Sequence, residues 1–200
     1  SLLSTLFDTL PVGVLAEDEN RDVVAINEQL FELFNLGGGP DDVRGTDCVQ
    51  LATDVSEMFA DAEAFVDRID QVIAEQEPVY NEELTLADGQ TYARSYHPIE
   101  LPSGDGHLWV YRNITARKTS ETRLAALNKT TQELIVAETR REVAEIGVEA
   151  AAEVLGLEAS AIHLSDDRDR LVPVAVTDAG RRLIGDPPTL TGDESIAWRV

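Results

Sequence analysis

Residues 12–17 and 22–27 are two short β-branched runs, and Asp18-Glu19-Asn20-Arg21 between them suits a tight turn, so the pattern predicts a hairpin. In NEQLFELF, Leu30, Phe31 and Phe34 fall at helical spacing, and Asn35-Leu36-Gly37-Gly38-Gly39-Pro40 stops that helix. Residues 61–76 place Phe65, Ile69, Val72 and Ile73 on one stripe, a longer helix that ends before Pro78. Three strands follow at 79–86, 91–101 and 107–114, joined by Ala87-Asp88-Gly89-Gln90 and Pro102-Ser103-Gly104-Asp105-Gly106. The order predicts an α+β fold: a five-stranded antiparallel sheet with helices on one face and a pocket between the layers.

From Thr115 the period becomes helical, with Leu124, Leu127, Thr131 and Leu134 at steps of three and four. That stripe ends near Glu138, where Thr139-Arg140-Arg141-Glu142 has the form of a capping box. The next helix is expected to turn Val143, Ile146, Ala150 and Val154 inward and to stop at Gly156. Strands at 159–164 and 171–176, with a turn at Asp166-Asp167-Arg168-Asp169, begin a second α/β unit. Because the chain opens on Ser1 rather than Met and closes on SIAWRV, which reads as an unfinished helix, it is expected to be a piece of a longer protein.

Charge changes the picture. Acids outnumber bases 38 to 16, and only Lys118 and Lys129 are lysines, which gives a net charge of -22. Such a field repels nucleic-acid phosphates and anionic membrane surfaces, so no direct binding to either is expected. Disorder is excluded by the 43% of hydrophobic residues and their periodicity. Acid-rich, lysine-poor composition suits folding in concentrated salt, which screens self-repulsion, and it resembles the proteins of salt-in halophilic archaea. Residues 1–114 hold 23 acids and 5 bases and the remainder 15 and 11, so the regime shifts near Thr115. The lone cysteine, Cys48, excludes a disulfide within the chain and a cysteine-based zinc site, which suits a reducing cytoplasm. No apolar run reaches the roughly 18 residues that span a bilayer.

PVGVLAEDENRDVVAIN with its Asn27, then LADGQTYARSYHPI, then YRNITARK, together resemble a PAS domain over residues 1–116. The family usually closes on Asp-Ile-Thr. Asn113-Ile114-Thr115 keeps a side chain able to fasten the last strand to its neighbour, but loses the charge. EVAEIGVEAAAEVLGLEASAIHL and PPTLTGDESIAWRV resemble the first half of a GAF domain. The implied layout is a PAS sensor at 1–116, a signalling helix at 117–137 and a truncated GAF domain at 138–200. Such a layout implies the input region of a cytoplasmic sensor histidine kinase in a two-component system, responding to a small ligand or to a redox or light cue. Two alternatives stay open: a regulator like the bacterio-opsin activators of haloarchaea, and a ligand-free dimerisation scaffold. No histidine sits in a phosphoacceptor pattern and no ATP-lid glycines appear, so the segment is not expected to be an enzyme.

Within that resemblance the pocket would be lined by Val14, Ala16, Ile26, Phe31, Phe34, Tyr92, Arg94 and Tyr96. Tyr92, Arg94 and Tyr96 alternate and so share one face. Facing inward, Arg94 could grip a carboxylate ligand with its fork; facing outward, it is a solvated arginine. Cys48 is placed like the flavin-adduct cysteine of LOV photoreceptors, but Asp47, Val49 and Gln50 depart from that signature and argue against flavin. His97, His107 and His163 lie away from the helix that supplies haem-binding PAS domains with their ligand, which argues against haem, so any cofactor remains unnamed. Gly37-Gly38-Gly39 lacks the Lys and Ser/Thr of a phosphate loop and reads as a cap or hinge. Asn113, Ile114 and Thr115, followed by Leu124, Leu127 and Leu134, would relay a signal, the leucines forming the seam of a homodimeric coiled coil with Thr131 as its weak point.

If the acidic surface is an adaptation to salt, molar KCl raises the melting temperature relative to dilute buffer. A thermal scan with equal or greater stability in dilute buffer contradicts this.

Overall fold

A computed structural model describes residues 2–191, in two compact units, Ser1–Lys118 and Thr119–Val200. The helix expected at SIAWRV lies outside the described residues.

The first unit begins with α1 (Leu2–Thr9) and the predicted hairpin, β1 (Gly13–Asp18) and β2 (Val23–Ile26). Asn27 ends the hairpin and starts α2 (Glu28–Leu33) by making every hydrogen bond an amide side chain can make. Its carbonyl oxygen accepts from the Val14 and Leu30 amides at 2.8 and 3.2 Å. Its Nδ2 donates to the Phe7 and Val12 carbonyls at 3.1 and 2.8 Å. An N-cap is typically worth ~1 kcal/mol, and this one, fully buried, also ties α1 to the sheet. At Gly13 a Cβ would stand 2.9 Å from the Leu30 side chain, so only glycine lets α2 lie this close to β1.

Next come α3 (Cys48–Val55), capped by Asp47, and α4 (Ala62–Glu75), capped by Asp61. Burial of Phe65, Ile69 and Val72 on one stripe of α4 contributes about 1.5–3 kcal/mol each. The meander β3 (Val79–Thr85), β4 (Thr91–Leu101) and β5 (Gly104–Asn113) completes a sheet in the order β2-β1-β5-β4-β3, antiparallel throughout. β5 starts at Gly104, earlier than the residue-107 start read from the sequence, because Leu101 pairs with Gly104 across a two-residue turn. Gly104 takes φ +139°, which side-chain-bearing residues rarely adopt. β3 carries a bulge between Val79 and Glu82, with Asn81 left-handed at φ +52°.

The helix α5 (Thr115–Val136) leaves directly from β5. In the second unit α6 (Arg140–Leu155) opens on the expected capping box of Thr139 and Glu142 and closes on left-handed Gly156. It is followed by β6 (Ala161–Ser165), β7 (Arg170–Val176), α7 (Asp178–Ile184) and β8 (Leu190–Thr191), which form a β6-β7-β8 sheet. The inward face of α6 differs from the expected one. Ala144 and Val148 are buried, whereas Val143 is 45% exposed. Gly147 explains the phase, since a Cβ there would lie 2.9 Å from Ile162 Cδ1, and close approach selects the face with the smallest residues.

Candidate functional site

The helix-facing side of the sheet is set by register. Leu15 pairs with Trp109 and Glu17 with His107, while Tyr96 pairs with Trp109 and Arg94 with Tyr111, so these side chains share one face. Of these, Leu15, Glu17, Trp109 and Tyr111 border, with Phe34 and residues of α3 and α4 such as Cys48 and Phe65, a cavity of ≈ 20 Å³ with room for about one water.

Two charged groups penetrate this core. Arg94 is 1% exposed, with its guanidinium carbon 5.4 Å from the Trp109 ring centre and 5.6 Å from that of Phe65. Its Nε and Nη2 both donate to Glu82 Oε2, at 3.1 and 2.6 Å. Glu82 Oε1 accepts from Arg68 Nε at 2.7 Å, so one carboxylate serves two guanidiniums. The third nitrogen of Arg94, Nη1, is buried with no hydrogen-bond partner. Burial alone would raise the Glu82 pKa. The hydrogen bonds and charges of Arg68 and Arg94 outweigh it and hold the carboxyl below its ordinary value of 4.5. At Tyr111 burial wins and pushes the phenol up, although the charge of Arg94 and the closeness of its guanidinium to the phenol oppose it.

The second group is Glu17, 1% exposed, which accepts from Trp109 Nε1 and from Arg21 Nε. Arg21 reaches it from a left-handed turn position, φ +67°. The Cys48 thiol lies against the same carboxylate. Burial, then the Glu17 charge, push its pKa far above the ordinary thiol value, so it stays protonated and unreactive. Beside this group Tyr96 Oη and His107 Nδ1 are hydrogen-bonded at 2.9 Å, and burial lowers the imidazole pKa.

The exit to α5 is tied to the sheet at several points. Asn113 Nδ2 donates to Gln90 Oε1 at 3.1 Å and to Tyr92 Oη at 3.3 Å, and Asn113 Oδ1 accepts the Thr115 amide at 2.9 Å. Thr115 Oγ1 accepts from the Thr91 amide at 3.0 Å and donates to the Thr91 carbonyl at 3.3 Å, while Ile114 is buried. Lys118 Nζ reaches Glu83 at 2.6 Å.

Of the residues expected from sequence to line the pocket, Phe34 alone borders the cavity, while Ile26, Phe31, Arg94 and Tyr96 are buried elsewhere in the core and Tyr92 is partly buried against it. Val14 and Ala16 are a correction. Strand alternation puts them on the opposite face, and Leu15 and Glu17 take the inward positions. Glu17 was overlooked because an acid is seldom fully buried. Glu82 was overlooked because nothing short of left-handed Asn81 signals the bulge that turns it toward Arg94. His97 packs edge-on against Tyr80 at 5.2 Å, and His163 Nε2 lies 3.2 Å from the Pro188 carbonyl in the second unit. Among the described residues no group of three or more His, Cys, Asp and Glu side chains is placed to hold a metal ion, and no helix is long and apolar enough to cross a membrane.

A sheet of this order, with helices folded over its core and an exit helix on its central strand, defines an antiparallel α+β module. The family described as PAS fold matches residues 7–119, more than half the chain, and the chain belongs to that family. Among solved structures it is similar to a domain of an HTR-like protein from Haloarcula marismortui, at 19% identity and a TM-score of 0.39 over 53% of this chain and 100% of that one. It is likewise similar to the PAS domain of nitrogen regulation protein NR(II) from Vibrio parahaemolyticus, at 16% identity and 0.39 over 57% and 99%. A third likeness is to the E. coli DhaR(N)-DhaL complex, at 20% and 0.42 over 56% and 34%. No curated protein matches the chain.

Because the Glu82 pKa is depressed in the folded state, its ion pairs stabilise the fold above the ordinary value of 4.5, and that contribution is lost as pH falls through the lower folded value. In urea unfolding at fixed molar KCl, the stability gap between the wild type and Glu82→Gln should be constant from about pH 7 to about pH 5 and shrink below about pH 4. A gap that widens on acidification contradicts the assignment.

Proposed function

We propose that this chain is the sensory input region of a cytoplasmic signal-transduction protein, with a sensor histidine kinase as the parent. In this reading the PAS core detects a small ligand, α5 carries the response, and residues 138–200 are the first part of a GAF domain. The domain limits are those read from the sequence, 1–116, 117–137 and 138–200. One observation carries the reading: β5 places Trp109 and Tyr111 in the cavity wall and, two residues after Tyr111, Asn113 at the joint with α5. A shift of the core side chains therefore acts on the root of the helix through a single strand. Packed helices settle into discrete arrangements, so a small displacement there is converted into a rotation or register change.

Dimerisation through α5 is part of the proposal. Leu124, Leu127 and Leu134 are 61%, 46% and 41% exposed, and no α5 residue is buried. A 22-residue helix with an open leucine stripe suits pairing with a second copy as a parallel coiled coil. The ligand-free scaffold is a second reading favoured by the cavity, which at ≈ 20 Å³ is filled by the domain's own side chains.

In a Cys48→Ala background, Leu127→Cys should give a disulfide-linked dimer under mild oxidation, while a cysteine at Arg123 gives far less. Absence of any cross-linked species from a helical, folded protein would falsify the dimer.

A further inference from the structure

A buried guanidinium nitrogen without a partner is costly, and native proteins seldom retain one without a reason. Arg94 Nη1 is such an atom. Arg94 and Arg68 share the Glu82 carboxylate, and Glu75 also pairs with Arg68 at 3.8 Å, so the cluster balances two arginines against two acids and leaves Nη1 without a carboxylate of its own. The side chains that touch Arg94 also open outward. Glu82 and Phe65 are contacts of Arg94 and, at the same time, walls of a groove of ≈ 700 Å³ between α4 and the edge strand β3. The groove floor is apolar. Phe59 and Phe65 stack there with centres 3.8 Å apart and planes 9° from parallel, and Ala64 and Leu84 lie beside them. Asp61, Asp67 and Glu83 stand on the same lining and oppose negative charge on an occupant everywhere except beside the arginines, so no more than one carboxylate is accommodated.

We propose that this groove binds an organic monocarboxylate with an aromatic or compact apolar body. Its carboxylate displaces Glu82 from Arg94 and satisfies Nη1, while its body lies on Phe59 and Phe65. Glu82 is then a built-in stand-in for the ligand's own carboxylate, which holds the site closed until a competitor arrives. Glu82 is placed to swing aside, because it is about one-quarter exposed, sits on an edge strand, follows a bulge and keeps Arg68 as a second partner outside the core. The guanidinium fork favours a planar carboxylate over a spherical anion. This site rests on the sensor reading above and names the class of ligand for it.

The test is calorimetric titration of the full 200-residue chain with sodium benzoate at one fixed KCl concentration, with neutral benzyl alcohol as the control. The wild type should bind one benzoate per chain. Glu82→Gln, which removes the competing charge but keeps an acceptor, should bind at least tenfold tighter, and Arg94→Lys at least tenfold weaker, with no competition from benzyl alcohol. If Arg94→Lys fails to fold, Arg68→Gln carries the same expectation of weaker binding. A cooperatively melting Glu82→Gln protein with no gain in affinity overturns the proposal, as does Arg94→Lys binding like the wild type, or benzoate binding nowhere because a water alone serves Nη1. The cross-linking yield of Leu127→Cys, read with and without benzoate, separates the two ideas. Binding that leaves the yield unchanged keeps the site and removes the sensor reading, whereas no binding with intact cross-linking removes only the site.

Discussion

The charge of Arg94 is the constraint around which the first unit is arranged. A guanidinium cannot be deprotonated at any accessible pH, so burying it requires an anion inside the same low-dielectric volume. Glu82 meets that demand from the neighbouring strand, and the bulge at Asn81 sets the register that lets it. The same carboxylate continues to Arg68 on α4, so the edge strand, the central meander and the longest helix of the unit are tied by one ion. The pair is an unpromising source of net stability compared with hydrophobic residues of equal volume. In the observed register Glu82 stands directly opposite Arg94, so the pair ties this alignment of β3 to the core.

Glu17 makes a parallel arrangement on the same face, across β5 from Arg94. It joins the hairpin turn through Arg21 to the centre of β5 through Trp109 and fixes the indole against Tyr96, with ring centres 4.7 Å apart. Trp109 and Tyr111 thus stand between two buried charged groups, and β5 is the strand that reports on both. Four residues beyond Trp109 the strand reaches Asn113, whose amide replaces the acid common in the family. It holds Gln90 and Tyr92 by hydrogen bonds between neutral groups, which are weaker than charge-assisted ones. The joint between sheet and helix is fastened at Asn113 by neutral bonds, and beyond it by Thr115 and the Lys118–Glu83 ion pair.

Much of this was legible in the sequence wherever local chemistry dictates local structure. The DENR turn, the Asn27 cap, the stripe of α4, the meander turns and the Thr139 capping box each follow from neighbouring residues, and the structure contains them. The alternation of Tyr92, Arg94 and Tyr96 revealed a shared face, but not which way it looks, since that depends on pairing with Glu82 and Tyr111 far away in sequence. The phase of β1 was misread for a related reason. Its inward positions carry Leu15 and an acid, so the polar and apolar alternation that normally marks the core points the wrong way at Glu17. The face of α6 was misread because Ala144, Gly147 and Val148 pack by closeness rather than by bulk. The short helices α1 and α3 carry little periodic signal in eight residues each and were not assigned.

The most direct test of this account is the coupling energy between Arg94 and Glu82, measured by urea unfolding of the wild type, Arg94→Met, Glu82→Gln and the double variant at neutral pH and fixed KCl. If the ion pair organises the core, the cycle returns about 2 kcal/mol, with Arg94→Met relieving much of the cost of Glu82→Gln. Additive effects, with a coupling below about 0.5 kcal/mol, would contradict it.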